Sequence, residues 1–378
     1  MHVTGVDAWL IVGARRWARM VAGELCALLP PGAPIHLQGS LEDADLLEWW
    51  SNSPFKYRIR IVDQPTTCRA PMTGVALIVN SAYQHRPAVE MALSAGYHVA
   101  CEKPLTFSRQ ESLQLMRRAD DLGLKLFSTN TYLFADYLRI FKQDWLRGNR
   151  HAEIRLTWSD AAAEARYGQA KPYDSGVPLV FDLLPHIASI VLATHGPVEI
   201  DHAELTVHRG GSEVEVRFGC RDLTICASLS RNAKRRTRLV HFLGATSSVE
   251  LDFSVEPGLV SLDGAEPACA DPAWETKRKP IAEMLRSLHV YFGSSAIDDR
   301  LGLPAALLGN LMIDSVAKSY VQQQNDFLAR RPHAPDSEQD PDYVYATKEL
   351  KSVSQRALPF LPQESPLRGL GNRSSAAN

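Results

Sequence analysis

Nowhere in its 378 residues does the sequence hold a run approaching the ~20 apolar residues that a membrane-spanning helix needs. The N-terminus also lacks a basic region followed by an apolar stretch and a small-residue cleavage site, so no secretory leader is expected. Cys26, Cys68, Cys101, Cys220, Cys226 and Cys269 form no C-x-x-C pair and no zinc-type spacing with histidine. That argues against a disulfide scaffold and a structural metal, and predicts mostly buried thiols in a reducing compartment. Charge of one sign is missing too: 41 Lys and Arg stand against 43 Asp and Glu, for a formal charge of -2. Neither nucleic acid nor an acidic membrane surface has an electrostatic claim on such a chain. The expectation is a cytoplasmic protein whose partner is a small, nearly uncharged molecule.

What the sequence has is ordinary in amount, 45% hydrophobic and 22% charged. Its length exceeds what one hydrophobic core usually serves, so two domains are expected. From Ala8, "AWLIVGARRWARMVAGELCALL" reads as strand, turn and helix. "PIHLQGS", "YRIRIV", "VALIVNSA", "YHVACEKP" and "LKLFST" read as further strands, with helical segments such as "RPAVEMALSAG" and "SRQESLQLMRRADDLG" between most of them. Alternation of this kind predicts a doubly wound parallel sheet with right-handed crossovers, the Rossmann arrangement, over residues 1–130.

After about Asn130 the rhythm changes. A helix is expected from Phe134 to about Arg147, then strands at "AEIRLTW", "VEIDHAELTVH", "EVEVRFG", "LTICASLS", "RLVHFLG" and "SVELDF". Their alternation suggests a large, mostly antiparallel sheet with one face covered, over residues 131–330. Two late helices, near "IAEMLRSLHVYFG" and "PAALLGNLMIDSVAKSYVQQQ", are expected to close this α+β domain. The polar, Pro- and Gly-rich stretch 331–378 reads as a loosely held tail.

In an open parallel sheet, ligands sit beyond the carboxyl ends of the strands. Polar groups recur at those ends: Gly13, Ala14, Arg15, Arg16 and Trp17 after the first strand, Gly39 and Ser40 after the second, Asn80, Ser81 and His85 after the fourth. Glu102 and Lys103 end the fifth, and Thr129 and Asn130 the sixth. The first turn departs from G-x-G-x-x-G, with Arg15 at the second glycine position and Ala18 at the third. An arginine there either displaces a dinucleotide slightly or contacts its phosphate.

A second constellation lies in "YDSGVPLVFDLLPHIASIVL". Asp182 and His186 are four residues apart, so a continuous helix sets carboxylate and imidazole on one face as an oriented acid/base pair. Pro185 removes an amide between them and either kinks the helix or begins a new one. The plain alternative is a helix-capping aspartate beside an unrelated histidine.

Together and in this order, these residues resemble the Gfo/Idh/MocA oxidoreductases. The similarity runs from about Ala8 to Ser319 and is strongest in "ALIVNSAYQHRPAVEMALSAGYHVACEKPLTFS", with its E-K-P signature, and in "SGVPLVFDLLPH". The resemblance implies an N-terminal nucleotide-binding domain, a C-terminal sheet domain used in homodimers or homotetramers, and hydride transfer with a nicotinamide cofactor. It implies Lys103 at the junction of cofactor and substrate, Asp182 with His186 in proton transfer, and Asn80 and His85 on the nicotinamide side. Tyr132 stands where many relatives carry an arginine, which bears on substrate identity.

NADP is expected over NAD, because the second strand ends "HLQGS" and offers no acid before Glu42 to hold a ribose 2′-hydroxyl. Gly39, Ser40, Arg15 and Arg16 are the expected contacts for a 2′-phosphate. The expected substrate is a sugar, a cyclitol or a sugar derivative, with carbonyl and alcohol interconverted. The turn "LIVGARRWARM" and "QGS" also resemble thiazolinyl imine reductases, which keeps C=N reduction as an alternative. A non-catalytic cofactor-binding sensor or scaffold is the third.

Overall fold

The computed structural model describes residues 6–64, 73–147, 151–162, 165–166, 169–170, 177–294, 298–330 and 340–355. Cys68, Tyr173–Gly176 and most of the expected tail lie outside them. The chain divides into two compact units. One comprises Met1–Ile140, Ala188–Pro197 and Asp271–Asn310, and the other Phe141–Ile187, Val198–Ala270 and Leu311–Asn378.

In the first unit, six short strands, β1 (Ala8–Val12), β2 (Ile35–Gln38), β3 (Ile59–Val62), β4 (Gly74–Ile78), β5 (His98–Glu102) and β6 (Leu126–Thr129), form one sheet in the order β3-β2-β1-β4-β5-β6. Every pair is parallel. Both faces are covered, so β1 and β4 bury every side chain. Trp9 and Ile11 face a core that includes α1 (Arg16–Leu28), and Leu10 and Val12 face one that includes α3 (His85–Ser94) and α4 (Arg109–Asp121). Helix α2 (Ala44–Asn52) is started by the Asp43 carboxylate, which accepts from the Leu46 amide at 3.1 Å. Ser108 plays the same part for α4. The order of pairing reverses between β1 and β4, and that is where such sheets open a crevice for ligands.

Beyond β6 the expected helix over 134–147 is not one helix. A 3-10 turn, Thr131–Phe134, precedes α5 (Asp136–Ile140), which passes directly into a π-helical turn, Phe141–Trp145. The second unit holds an eight-stranded sheet of β7 (His151–Ala161), β10 (His202–His208), β11 (Glu213–Cys220), β12 (Leu223–Ala233), β13 (Thr237–Gly244), β14 (Ser248–Asp252), β15 (Leu259–Leu262) and β16 (Ala268–Cys269). The two-residue strands β8 (Ala165–Arg166) and β9 (Gln169–Ala170) pair apart from it. The order is β10-β11-β12-β7-β13-β14-β15-β16, antiparallel except where β12 runs parallel to β7.

Helix α6 (Leu179–Thr194) runs through Pro185 without ending. Of the two late helices, α7 (Pro280–Ser294) belongs to the first unit, and α8 (Pro304–Ala329) begins there and continues into the second. Ile281, Met284, Leu285 and Leu288 of α7 are apolar at helical spacing and share the core of Trp9 and Val21. Pro341–Gln355, inside the stretch read as a loose tail, is helix α9, with Tyr345, Ala346 and Leu350 buried. Of the described cysteines, Cys26 and Cys101 are buried, Cys220 and Cys226 half-buried and Cys269 exposed, fewer buried than expected. No helix among the described residues is long and apolar enough to cross a membrane.

Candidate functional site

The carboxyl edge of the parallel sheet is shaped by Gly13. Its φ is +135°, and a Cβ there would meet the Val79 carbonyl and the Asn80 amide at 3.1 Å. Only glycine lets the turn after β1 lie so close to the end of β4. Helix α1 then starts with Arg15 as its extended N-cap, with no side-chain cap and no acid in the first turn. Such a terminus offers amides and the positive end of the helix dipole to an anion. Around it, Gln38 Oε1, Asn80 Oδ1 and Asn130 Oδ1 are buried with no hydrogen-bond partner in the protein. Those atoms follow or end β2, β4 and β6. An uncapped helix start for phosphate and three unmet acceptors along one strand edge fit a dinucleotide, whose ribose hydroxyls and amide would supply the donors.

Ala14 and Arg16 are half-buried and Arg15 is exposed. Trp17 Nε1 donates to Glu102 Oε2 at 3.3 Å, and Thr129 Oγ1 donates to the same oxygen at 2.9 Å. Glu102 therefore ties α1, β5 and β6 together. Burial raises its pKa, against the pull of Lys103 and those donors. The Gly39 amide does not await a phosphate: it donates to Val62 O at 3.1 Å. Gly39 is instead required by packing, since a Cβ would lie 2.6 Å from Leu46 Cδ2 and 3.0 Å from Ala14 Cβ. Ser40 is exposed, and its Oγ accepts from the Glu42 amide at 3.1 Å. Ser81 stands at the N-terminal end of the short 3-10 helix Ala82–Gln84 without a side-chain cap, and Tyr132 lies half-buried in the turn after β6.

Lys103 leaves β5 half-buried, at a cis Lys103–Pro104 peptide. The turn that follows is fixed by a buried cluster. Asn310 Nδ2 donates to Thr106 O at 2.6 Å, Ser112 Oγ donates to Asn310 Oδ1 at 2.7 Å, and the Thr106 and Ser112 hydroxyls are 2.9 Å apart. His85, expected on the nicotinamide side, is a clamp behind this turn. It is 1% exposed, with Nδ1 2.7 Å from Pro104 O and Nε2 3.2 Å from Asn80 O. Burial, with a smaller push from Lys103, lowers its pKa to about 4, although both carbonyl contacts act the other way. A neutral imidazole has one N–H, and the shorter contact marks Nδ1 as its place.

Beyond β6, also in the first unit, a cavity of about 580 Å³ is walled by Phe134, Lys277, Arg278 and Arg300, among others. Its cations are largely matched: Lys277 Nζ is 3.0 Å from Asp136 and 2.9 Å from Asp271, and Arg300 pairs with Asp298 at 2.7 Å.

Asp182 and His186 stand in the second unit. The Pro178 carbonyl accepts from the Phe181 and Asp182 amides at 3.0 and 3.1 Å, so the helix is already turning before Asp182. The carboxylate is not simply the orienter of the imidazole that the spacing suggested. Asp182 Oδ2 accepts from Arg231 Nη2 at 2.8 Å, and Arg231 is 1% exposed. The His186 ring lies flat on Trp158, with centroids 4.7 Å apart and planes 11° from parallel. Trp158 also carries the Arg238 guanidinium 3.7 Å from a ring centroid. Arg238 is anchored by Asp160 and by the Ser159 and Thr237 carbonyls at 2.5 and 2.7 Å. The plane of the imidazole is thus set by an indole, and the charge beside it by a buried guanidinium.

Trp158, Arg231 and Arg238 were missed in the sequence. The signal was present: in "LTICASLSRNA" the buried positions are Leu223, Ile225, Ala227, Leu229 and then Arg231, and in "TRLVHFLG" they are Arg238, Val240 and Phe242. An arginine on the core side of an alternating strand marks a buried charge that needs a partner.

The oxidoreductase family with an NAD-binding Rossmann fold, GFO_IDH_MocA, matches residues 56–130. No curated protein matches the chain by sequence. Among solved structures, UDP-N-acetylglucosamine 3-dehydrogenase GnnA from Acidithiobacillus ferrooxidans is similar at 15% identity, TM-score 0.63, over 84% of this chain and 98% of that one. A 3-ketoreductase from Actinomadura kijaniata, solved with TDP-benzene and NADP, is similar at 16% identity, TM-score 0.63, over 82% and 97%. Biliverdin reductase from Synechocystis, solved with biliverdin and NADP+, gives 16%, 0.61, 82% and 98%. At these identities the likeness is one of fold, and it spans nearly the whole of each neighbour. Residues 56–130, which carry the strands and turns of the E-K-P edge, are thus where this chain matches the Gfo/Idh/MocA oxidoreductases.

Proposed function

We propose that this protein is an NADP-linked reductase or dehydrogenase that interconverts a carbonyl and an alcohol on a sugar, a cyclitol or a sugar derivative. The observation that carries the reading is the edge of the parallel sheet, where Gly13, an uncapped α1 and three unmet amide oxygens suit a dinucleotide. The sugar-nucleotide dehydrogenase and the ketoreductase among the similar structures support the substrate class.

When bound, the nicotinamide supplies or accepts the hydride. The Lys103 ammonium is read as the hydrogen-bond donor to the reacting oxygen, and His186 as the group that exchanges its proton. Asp182 balances the charge His186 acquires. Gly13, the α1 amides, Asn80 and Asn130 hold the dinucleotide, and Tyr132 reads the substrate.

Selectivity for the 2′-phosphate falls to the Ser40 hydroxyl and to Arg15 and Arg16, because the Gly39 amide is already bonded. A guanidinium contact of this kind is worth about 1.5–3 kcal/mol, roughly a ten- to more than hundredfold preference for NADPH over NADH. Fluorescence titration of both reduced cofactors tests this in wild type, Arg15→Ala and Arg16→Ala. Equal or tighter NADH binding by the wild type overturns the assignment. NADPH oxidation across a panel of keto-sugars, keto-cyclitols and cyclic imines then tests the substrate class, and turnover on imines alone moves it to C=N reduction.

We also infer a homodimer or homotetramer formed on the outer face of the eight-stranded sheet. Strand β10, in which alternate residues are exposed and none is buried, supports this. A strictly monomeric mass by light scattering at micromolar concentration would exclude it.

A further inference from the structure

Arg231 occupies a place where the alternation of β12 calls for an aliphatic side chain. A guanidinium removed from water is tolerated only where its charge is balanced and its N–H groups are bonded. Here Nη2 donates to Asp182 Oδ2 at 2.8 Å and Nη1 to Val177 O at 2.7 Å, while Tyr345 Oη and Glu349 Oε1 lie 3.5 Å from Nη1. Glu349 is 1% exposed, yet its contacts are donors. Tyr320 Oη gives to its Oε2 at 2.5 Å, Gln324 Nε2 to the same oxygen at 2.8 Å, and Tyr345 Oη to Oε1. Burial alone raises the Glu349 pKa, but a carboxyl ringed by donors and a guanidinium is held as the anion. One buried cation thus stands between two carboxylates, Glu349 at 1% side-chain exposure and Asp182 at 31%.

We propose that Arg231 is a positioning residue for the acid/base pair of α6, and that the C-terminal helix α9 is part of that site through Glu349. The proposal rests on the reading of Asp182 and His186 as that pair. A purely structural arginine would be satisfied by Glu349 and the Val177 carbonyl. This one spends half of its planar fork on the carboxylate one helical turn from His186, and so divides its charge between the core and the site. How basic His186 is then depends on a glutamate more than 160 positions along the chain. The charged and titratable groups that face Arg231 are Asp182 from α6 and Tyr345 and Glu349 from α9, and Tyr320 of α8 reaches it through Glu349.

The two ends of the relay act on His186 in opposite directions. Without Arg231 the Asp182 charge is uncompensated and the imidazole becomes more basic. Without the Glu349 charge, Arg231 offsets Asp182 more fully and the imidazole becomes less basic. The test is an NMR titration of the full chain labelled with 13C-histidine, in which the His186 signal is the one lost in His186→Gln. Arg231→Met is expected to raise the His186 pKa by about one unit, and Glu349→Gln to lower it by less. Thermal melts confirm that each variant is folded. If Arg231→Met does not fold, Arg231→Lys, which keeps the charge and loses the fork, is measured beside Glu349→Gln. Folded variants in which His186 titrates as in the wild type overturn the proposal. The underlying reading fails separately, if His186→Gln keeps full turnover in NADPH oxidation with the same keto-sugar panel.

Discussion

In the parallel sheet, β1 and β4 bury nothing but apolar side chains and glycine, and the polar groups of interest gather at or beyond the strand ends. In the eight-stranded sheet, three neighbouring strands carry Trp158, Asp160, Arg231 and Arg238 on the same buried face as Ile154, Leu156, Ile225 and Val240. One unit separates its scaffold from its chemistry, because a strand covered on both sides has no wet face and must export polarity to its ends. The other mixes them, so a substitution meant to probe the site there also removes part of the core. Variants in the two units should therefore differ in kind: loss of binding in the first, and joint loss of stability and turnover in the second.

The largest effect should come from His186. In His186→Ala, turnover is expected to fall by about two to four orders of magnitude with cofactor affinity nearly unchanged, whereas Lys103→Ala impairs both, as steady-state rates and fluorescence titration would show. Full activity in His186→Ala would transfer the proton role, with Tyr132 next to be tested. Arg238→Met strands Asp160 in the core and should cost about 3–5 kcal/mol in urea unfolding, and adding Asp160→Leu should recover much of it. By contrast Ile11→Val, in the buried interior of β1, should cost only about 0.5–1.5 kcal/mol. Equal costs would erase the distinction between the two sheets.

His85 sharpens the comparison through pH. Its folded pKa of about 4 lies below the ordinary 6.5, so the unfolded chain takes up the proton first as pH falls. Stability should be level above pH 6.5 and decline between 6.5 and 4, by up to about 3 kcal/mol. Urea midpoints of His85→Gln should be flatter across that window, and an unchanged slope would assign the decline to other groups. In Gly13→Ala, a strained φ and 3.1 Å backbone contacts should cost about 1–3 kcal/mol, with weakened cofactor binding as the more sensitive readout.

The same contrast explains what the sequence made legible. Strands and helices of the first unit alternate within short windows, so the doubly wound arrangement could be read locally. Helix α7 could be seen as a helix but not as a partner of α1, since an amphipathic stripe does not say which core it enters. The passage from α5 into a π turn left no periodic trace. Helix α9 was hidden because its buried face includes Glu349, a residue that composition counts as solvated. At the candidate site, strand ends told where the expected residues would lie, after β1, β2 and β4 and at the end of β5. Asp182 was picked out as well, but its Arg231 partner was not, because that guanidinium comes from a strand about fifty positions later and only three-dimensional pairing supplies it.

The route of the chain through its first unit has a consequence for how the protein is made. The core that contains Trp9 and Val21 also needs Ile281, Met284, Leu285 and Leu288. A ribosome emits those residues only after most of the second unit has already been translated. The unit of the parallel sheet, whose strands are the first of the two sheets to be synthesised, is thus not the first that can be finished: until α7 emerges, the outer side of α1 and the ring of Trp9 lack their cover. A nascent chain stalled before Asp271 should expose that apolar surface to chaperones, whereas one stalled after Asn310 should not.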